Sequence, residues 1–371
     1  MKTVLIAEDD PAVRQGLQAN LEREKLKVLV ERDGRAALAR ARRENLDLLI
    51  LDVMLPSMSG FDICARLKKE GYATPIFMLT GLADEGSKMR GLGLGADDYI
   101  PKPFSIQELL LRIRNAIERT ERTLGSARAL DQEFRKAREI QQGSLPKIPP
   151  RIDTLDVWGT MVPATHVGGD YFDYLLLGPR KLAVIVADVS GKGLPAALYV
   201  QKMQGIVQAS KTMIRTAGDI LLQLQEHLGT TMEPSSFITA VTAMFDLDRH
   251  TVEFASAGHL PVFRRRASKI EEIKPDGMWI GQTIGRNFDE ELRRTTVEYG
   301  PGDVFVLYSD GVVECMNEHS HEFGFDRFRR LLRGKMGTSK ALIQQAMRSL
   351  QRFAGGTPQS DDITIVVIRA Q

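Results

Sequence analysis

The chain has 371 residues but only two cysteines, Cys64 and Cys315, far apart and without CxxC spacing. Their scarcity excludes a disulfide scaffold and a cysteine-based zinc cluster, and fits a reducing cytoplasm. No apolar run is long enough to span a bilayer, and the N-terminus lacks a signal-peptide core, so no membrane association is expected. Charge of one sign is missing too. Lys and Arg total 50 against 48 Asp and Glu, a net charge of +2 that gives no argument for nucleic acid. The basic run Arg264-Arg265-Arg266 reads as a solvated hairpin face. A P-loop is also absent: Ser190-Gly191-Lys192-Gly193-Leu194 lacks the four-residue spacer before Gly-Lys and the Ser or Thr after it. What remains is an ordinary globular composition, 43% hydrophobic and 26% charged, with a length suited to two domains and a connector.

In the first third, short apolar runs alternate with helical patterns: TVLIAEDD, KVLVERD, LDLLILD, TPIFMLT and ADDYIPKP each read as a strand, with a helix between successive ones. That alternation predicts a parallel sheet covered on both faces, whose strand ends converge on one site. The convergent residues are Glu8, Asp9, Asp10, Asp52, Thr80 and Lys102. Clustered carboxylates repel one another, and a hard divalent cation, Mg²⁺ or Mn²⁺, relieves this with oxygen ligands alone. A lysine and a hydroxyl beside them suit a phosphoryl group carried on a carboxylate.

The segments EDDPAVR, LILDVMLPSMSGFD, MLTG and YIPKPF resemble a response-regulator receiver domain over about residues 1–120. The resemblance implies a flavodoxin-like α/β fold with five parallel strands. It makes Asp52 the phosphoacceptor, served by a histidine kinase, and gives the Mg²⁺ to Glu8, Asp9, Asp52 and the backbone carbonyl of Met54. Thr80 and Lys102 contact the phosphoryl group, Tyr99 is the aromatic switch, and Lys102-Pro103 is a candidate cis peptide. Glu8 departs from the commoner aspartate.

From Ile106 the apolar positions follow helical spacing through Leu109, Leu110, Ile113 and Ile117, then Leu124, Ala127, Leu130, Phe134, Ala137 and Ile140. Residues 121–150 form a helical linker in this reading, either a stiff spacer or a dimerising coiled coil. Gly125-Ser126 is a candidate break, and the helix is expected to end at Leu145-Pro146.

In residues 151–371, Asp188 closes the strand-like KLAVIVAD and precedes a glycine-rich turn. Asp170 follows two glycines in VGGDYFDY, Asp310 ends the strand of DVFVLYSDGVVE, and Asp361-Asp362 precede ITIVVI. One such acid is usually a turn residue; four at strand margins form an oxygen cage for hard cations. REIQQGSLP, VGGDYFDY, ADVSGKGLPAAL, FITAVTAMFDLD, ASAGHLPV, PGDVFVLYSDGVVE, EFGFDRF and SDDITIVV resemble the SpoIIE-like branch of the protein phosphatase 2C-type metal-dependent phosphatases. That resemblance implies an α+β domain, an antiparallel β-sandwich flanked by helices, with two Mn²⁺ or Mg²⁺ ions activating a water against phosphoserine or phosphothreonine. Asp188 and the Val189 carbonyl would bridge the ions, Asp310 and Asp361 would hold one, and Asp170 would order the other. Asp361 and Asp362 differ by one position, and the family motif favours Asp361. Lys192 reads as an exposed lysine, His259 as structural, His319 and His321 as a loop pair, and Cys315 as a small core residue. In such relatives the substrate is a phosphorylated STAS-domain anti-sigma-factor antagonist.

Two other functions compete. An adaptor with a degenerate phosphatase domain would have lost metal ligands, and all the expected acids are present. A DNA-binding regulator would need a helix-turn-helix output, against which the strand-rich C-terminal part stands.

Overall fold

The computed structural model describes residues 1–371 apart from 82–93, 283–286 and 335–336, and apart from the side chains of residues 124, 127 and 128. The helix expected between TPIFMLT and ADDYIPKP, and the stripe positions Leu124 and Ala127, lie outside the described residues. The chain divides into two compact units, Met1–Asp131 and Gln132–Gln371.

In the first unit, β1 (Thr3–Ala7), α1 (Pro11–Arg23), β2 (Lys27–Glu31), α2 (Gly34–Arg43), β3 (Leu48–Asp52), α3 (Gly60–Lys69), β4 (Ile76–Thr80) and β5 (Asp98–Pro101) follow one another. The strands pair in parallel in the order β2-β1-β3-β4-β5. Strands β3 and β4 are buried at every position, as a sheet covered on both faces requires. Helix α4 (Ile106–Ser144) follows, and its Leu109, Ile113 and Ile117 pack into the core of this unit. Gly125-Ser126 does not interrupt it. One glycine costs a helix interior about 1 kcal/mol, too little to break 39 residues held at both ends. Leu130 and Ile140 are exposed.

The second unit holds two five-stranded antiparallel paths and four layers. After β6 (Leu155–Val162) come β7 (Asp170–Leu176), β8 (Lys181–Val189), α5 (Leu194–Ala209), α6 (Ala217–Leu228), β9 (Phe237–Asp246), β10 (Thr251–Ala257), β11 (Val262–Arg266), β12 (Lys269–Ile273), β13 (Ile280–Gly281), α7 (Phe288–Glu291), β14 (Arg294–Glu298), β15 (Val304–Tyr308), α8 (Gly324–Leu332), α9 (Ser339–Ala354) and β16 (Ile363–Ala370). One sheet runs β14-β10-β9-β8-β7 with β13 on β9; the other runs β12-β11-β15-β16-β6. Strand β8 shows why its sequence is apolar without alternation. Leu182, Val184 and Val186 face the other sheet, while Ala183, Ile185, Ala187 and Val189 face α5 and α6. β16 does the same: Val366 and Ile368 point between the sheets, and Ile365 and Val367 toward α8 and α9.

The basic run is not a solvated face. Arg264 is buried and, with Arg266, grips Asp303 at 2.7 and 2.8 Å, while Arg265 donates to the carbonyls of Leu332 and Gly334 at 2.9 and 2.7 Å. Only the hairpin reading held: β11 pairs with β12, but the arginines close the end of α8 and a buried carboxylate. Cys315 lies in the core under α8 and α9. Among the described residues no helix is long and apolar enough to cross a membrane.

Candidate functional site

At the carboxyl edge of the first sheet, β1 and β3 are neighbours, and α1 and α3 leave on opposite sides of the strand-order switch. Glu8 and Asp9 follow β1 and Asp52 ends β3, so three carboxylates have oxygens within 4.8 Å of one another. Lys102 donates to Glu8 Oε2 at 2.6 Å and to Asp52 Oδ2 at 3.0 Å. The cis Lys102-Pro103 bond follows immediately. Complete burial pushes the Glu8 carboxyl up, opposed by the hydrogen bond from Lys102. Burial alone would lower Lys102, yet its bonds to Glu8 and Asp52 outweigh it and hold the ammonium above its ordinary range. The oxygen donor set and its excess of negative charge fit a divalent cation. Thr80 is buried at the end of β4, and the Met54 N–H donates weakly to Asp52 Oδ1 at 3.4 Å. Tyr99 is buried on β5, stacked on Phe61 at 6.4 Å, with no partner for its hydroxyl among the described residues.

In the second unit, the β7–β8 register puts Asp170 directly opposite Asp188. Asp188, Val189, Asp310 and Asp361 line one cleft of about 410 Å³, together with Lys192, Phe237, Thr239, His259, Lys274 and Glu314. In the turn from β8 into α5, Ser190 is tied to Phe237 at the start of β9, and Gly191 and Gly193, at φ 92° and 76°, take backbone that an L side chain would strain. Asp170 is not in the cleft wall. It is 1% exposed, and its Oδ2 accepts from the hydroxyls of Ser309 at 2.7 Å and Thr364 at 2.6 Å.

Burial, and then the charges of Asp310, Asp361 and Asp362, push Asp188 up to about 7. Burial, then Asp188, pushes Asp170 well above the carboxylate range, and burial, then Asp361, raises Asp310. So much uncompensated carboxylate is costly, and Lys192 offsets only part of it: its ammonium pairs with Asp361 at 2.8 Å and donates to the Ser360 carbonyl at 2.5 Å. Lys192 is thus exposed but engaged. The all-oxygen set and the raised carboxyls fit hard divalent cations in this cleft. Among the described residues Asp188, Asp310 and Asp361 do not close to within 4.8 Å of one another as Glu8, Asp9 and Asp52 do.

Asp361 and Asp362 part company here. Asp362 turns away from the cleft, its oxygens accepting the N–H groups of Ala164 at 2.7 Å and Gly169 at 2.6 Å. A Cβ on Gly168 would meet that carboxylate at 2.7 Å, so only glycine fits. Gly168 also exchanges two hydrogen bonds with the buried Gln141 amide at the end of α4, at 2.6 and 2.9 Å. His259 is buried between Thr239 Oγ1 at 2.8 Å and the Tyr308 carbonyl at 3.1 Å, and burial lowers its imidazole to about 4. It is neutral, with Nε2–H donating to Tyr308 and Nδ1 accepting from Thr239. His319 and His321 stack at 6.2 Å on an exposed turn and join no metal-holding group among the described residues.

Sequence reasoning missed Glu314, Lys274, Phe237 and Trp279 around the cleft, and Gln141 behind it. Glu314 stood four residues past Asp310 in the same motif, which a helical turn would have brought back to the cleft. The others carried no pattern of their own.

Residues 178–371 match the family model "Stage II sporulation protein E (SpoIIE)", and residues 4–114 match "Response regulator receiver domain". The SiaA-PP2C domain of Pseudomonas aeruginosa is 24% identical, with a TM-score of 0.58, over 66% of this chain and 99% of that one. The PP2C phosphatase domain and regulatory fragment of SpoIIE from Bacillus subtilis is 19% identical, with a TM-score of 0.52, over 59% and 64%. At such identities the likeness is one of fold. The alkaline phosphatase synthesis transcriptional regulatory protein PhoP of Bacillus subtilis is 42% identical over 120 residues, 32% of this chain, and the chain spans about half the length of such curated relatives. The parallel five-stranded unit is therefore a receiver domain, and the chain belongs to the SpoIIE family, its second unit having the protein phosphatase 2C-type fold.

Proposed function

We propose that this chain is a phosphorylation-controlled phosphatase: a histidine kinase phosphorylates Asp52, and the cleft around Asp188 removes phosphate from phosphoserine or phosphothreonine on a partner protein. The observation that carries the reading is the charge of that cleft, where Asp188 is raised to about 7 by burial and by Asp310 and Asp361. Divalent ions, Mn²⁺ or Mg²⁺, would supply Lewis-acid activation of water and neutralise phosphoryl charge there. Asp188, the Val189 carbonyl, Asp310 and Asp361 would hold them, and Asp170, oriented by Ser309 and Thr364, would support them from behind the cleft. Lys192 keeps the Ser360-Asp361 turn closed on the cleft. In the receiver, Glu8, Asp9, Asp52 and the Met54 carbonyl would take Mg²⁺, Thr80 and Lys102 would meet the phosphoryl group, and Tyr99 would turn with it. The family resemblance makes a STAS-domain anti-sigma-factor antagonist the substrate class, and the exposed Leu130 and Ile140 of α4 leave a face for a homodimer. The domains would be 1–120, a linker 121–150, and 151–371.

The test is Mn²⁺-dependent phosphate release from p-nitrophenyl phosphate and from a phosphoserine-bearing STAS protein, with and without beryllofluoride. Turnover lost in Asp188→Asn, and changed by beryllofluoride only when Asp52 is intact, is expected. No turnover of either substrate in either receiver state would overturn the reading and favour a binding adaptor.

A further inference from the structure

The rim of the phosphatase cleft differs chemically from its floor. Phe237 opens β9 and is fixed to the turn after Asp188: its N–H donates to Ser190 Oγ at 2.8 Å and its carbonyl accepts from the Ser190 N–H at 2.9 Å. Trp279 stands just before β13, whose Gly281 pairs with Phe237. Its backbone rides over Gly258, at φ 68°, where a Cβ would come to 3.3 Å from the Trp279 nitrogen. The two rings lie 5.9 Å apart, yet Phe237 is 40% and Trp279 47% exposed. Two aromatics held side by side by the backbone, with their outer faces in water, give the fold little in return for the apolar area left exposed. Lys274 lines the same cleft and is also exposed. Lys192 is tied to Asp361 and Ser360, whereas Lys274 has no hydrogen-bonding or ion-pair partner among the described residues.

We propose that Phe237, Trp279 and Lys274 form the substrate-recognition rim: Lys274 receives the phosphoryl group, and the aromatic pair receives an apolar side chain flanking the phosphoserine. This rests on the phosphatase reading and narrows its substrate to a phosphoserine segment with an apolar neighbour. Charge complementarity and continuity with the cleft choose this occupant. Whatever covers the rings must also bring an anion past Lys274 toward the acid-lined floor, and a phosphorylated chain does both. The rings offer area for about one side chain, and one apolar group in such a site discriminates ~10-fold or more.

Two peptides, identical except that the phosphoserine is flanked by leucine or by glycine, test this in the full chain with Mn²⁺. The wild type is expected to prefer the leucine peptide about tenfold in kcat/KM. The preference should survive Trp279→Phe and fall to within about twofold of parity in Trp279→Ala and Phe237→Ala. Lys274→Gln should raise KM for both peptides and leave their ratio alone. Parity in the wild type, a preference that survives both alanine variants, or an unchanged KM in Lys274→Gln overturns the assignment. So does failure to turn over either peptide by a chain that hydrolyses p-nitrophenyl phosphate. A concentration-dependent self-association abolished by Trp279→Ala would give the rim to a second copy instead. Failure on p-nitrophenyl phosphate itself would strike the phosphatase reading underneath, which keeps the two failures apart.

Discussion

Single residues in the cleft trade stability for chemistry, and two of them do so with opposite signs against pH. Asp188 has its folded pKa raised to about 7, above the ordinary carboxylate value. Between roughly pH 4 and 7 the folded state therefore holds a proton that the unfolded chain has lost, so metal-free stability falls as pH rises and the full cost stands above 7. Because the cleft is open to water, about 2 kcal/mol is a fair magnitude after screening. Metal-free Asp188→Asn should accordingly melt about 5 °C higher than wild type at pH 8, while losing the stabilisation that Mn²⁺ gives the wild type. A metal-free variant less stable than wild type would show that the carboxylate is not strained. His259 behaves in reverse: its folded pKa of about 4 lies below that of a free imidazole. As pH falls from about 6.5 to 4 the unfolded chain takes up a proton that the buried ring refuses, and up to about 3 kcal/mol is lost. His259→Gln, which can still accept from Thr239 and donate to Tyr308, should flatten that loss. Comparing urea midpoints at pH 7 and 4.5 in both proteins isolates it, because the carboxylates contribute equally to both.

At the scale of elements, periodicity told the truth about layers but not about neighbours. The unbroken apolar runs of β3, β4, β8 and β16 announced strands buried on both faces, and the helical stripe of Ile106, Leu109, Ile113 and Ile117 announced the start of α4. Strand-end acids were legible for the same reason, since a charge just past an apolar run must leave the sheet at its edge. Pairing order was not legible. Nothing local says that β16 lies between β15 and β6, or that Asp170 faces Asp188 across β7 and β8. The rim was hidden too, because Phe237 and Trp279 come together only through the β9–β13 pairing and the close approach at Gly258, and Lys274 reaches the same cleft from beyond β12. Gln141 was equally silent: a polar residue in a helix of many polar residues turns out to be 3% exposed and bonded twice to Gly168. Gln141→Leu would leave both Gly168 groups buried and unpaired, at about 2 kcal/mol or more. It should lower the unfolding midpoint of the second unit and raise the Mn²⁺ concentration needed for activity, because the Gly168-Gly169 turn also carries Asp170 and binds Asp362. An unchanged Mn²⁺ requirement would mean that the turn holds its shape without the helix.

The whole molecule consists of two units with separate cores, one closed by Leu109, Ile113 and Ile117, the other by the two facing sheets. Cores of this kind unfold as cooperative blocks, so the chain is expected to show two calorimetric transitions. Each unit concentrates its negative charge at a different place, Glu8-Asp9-Asp52 in one and Asp188-Asp310-Asp361 in the other. A ligand that binds only the folded form of a unit raises that unit's transition by mass action. Beryllofluoride added in the presence of Mg²⁺ should therefore further raise the receiver's transition alone, and Asp52→Asn should abolish that further rise. Mn²⁺ alone should raise the other through the cleft, an effect lost in Asp188→Asn and kept in Asp52→Asn. If each substitution cancels only its own shift, the two acid clusters are separate sites whose communication is a property of the connection between them. If Asp52→Asn instead erased the Mn²⁺ shift of the second transition, the phosphatase cleft could not assemble without the receiver, and activation by phosphorylation would be the formation of the site rather than its release.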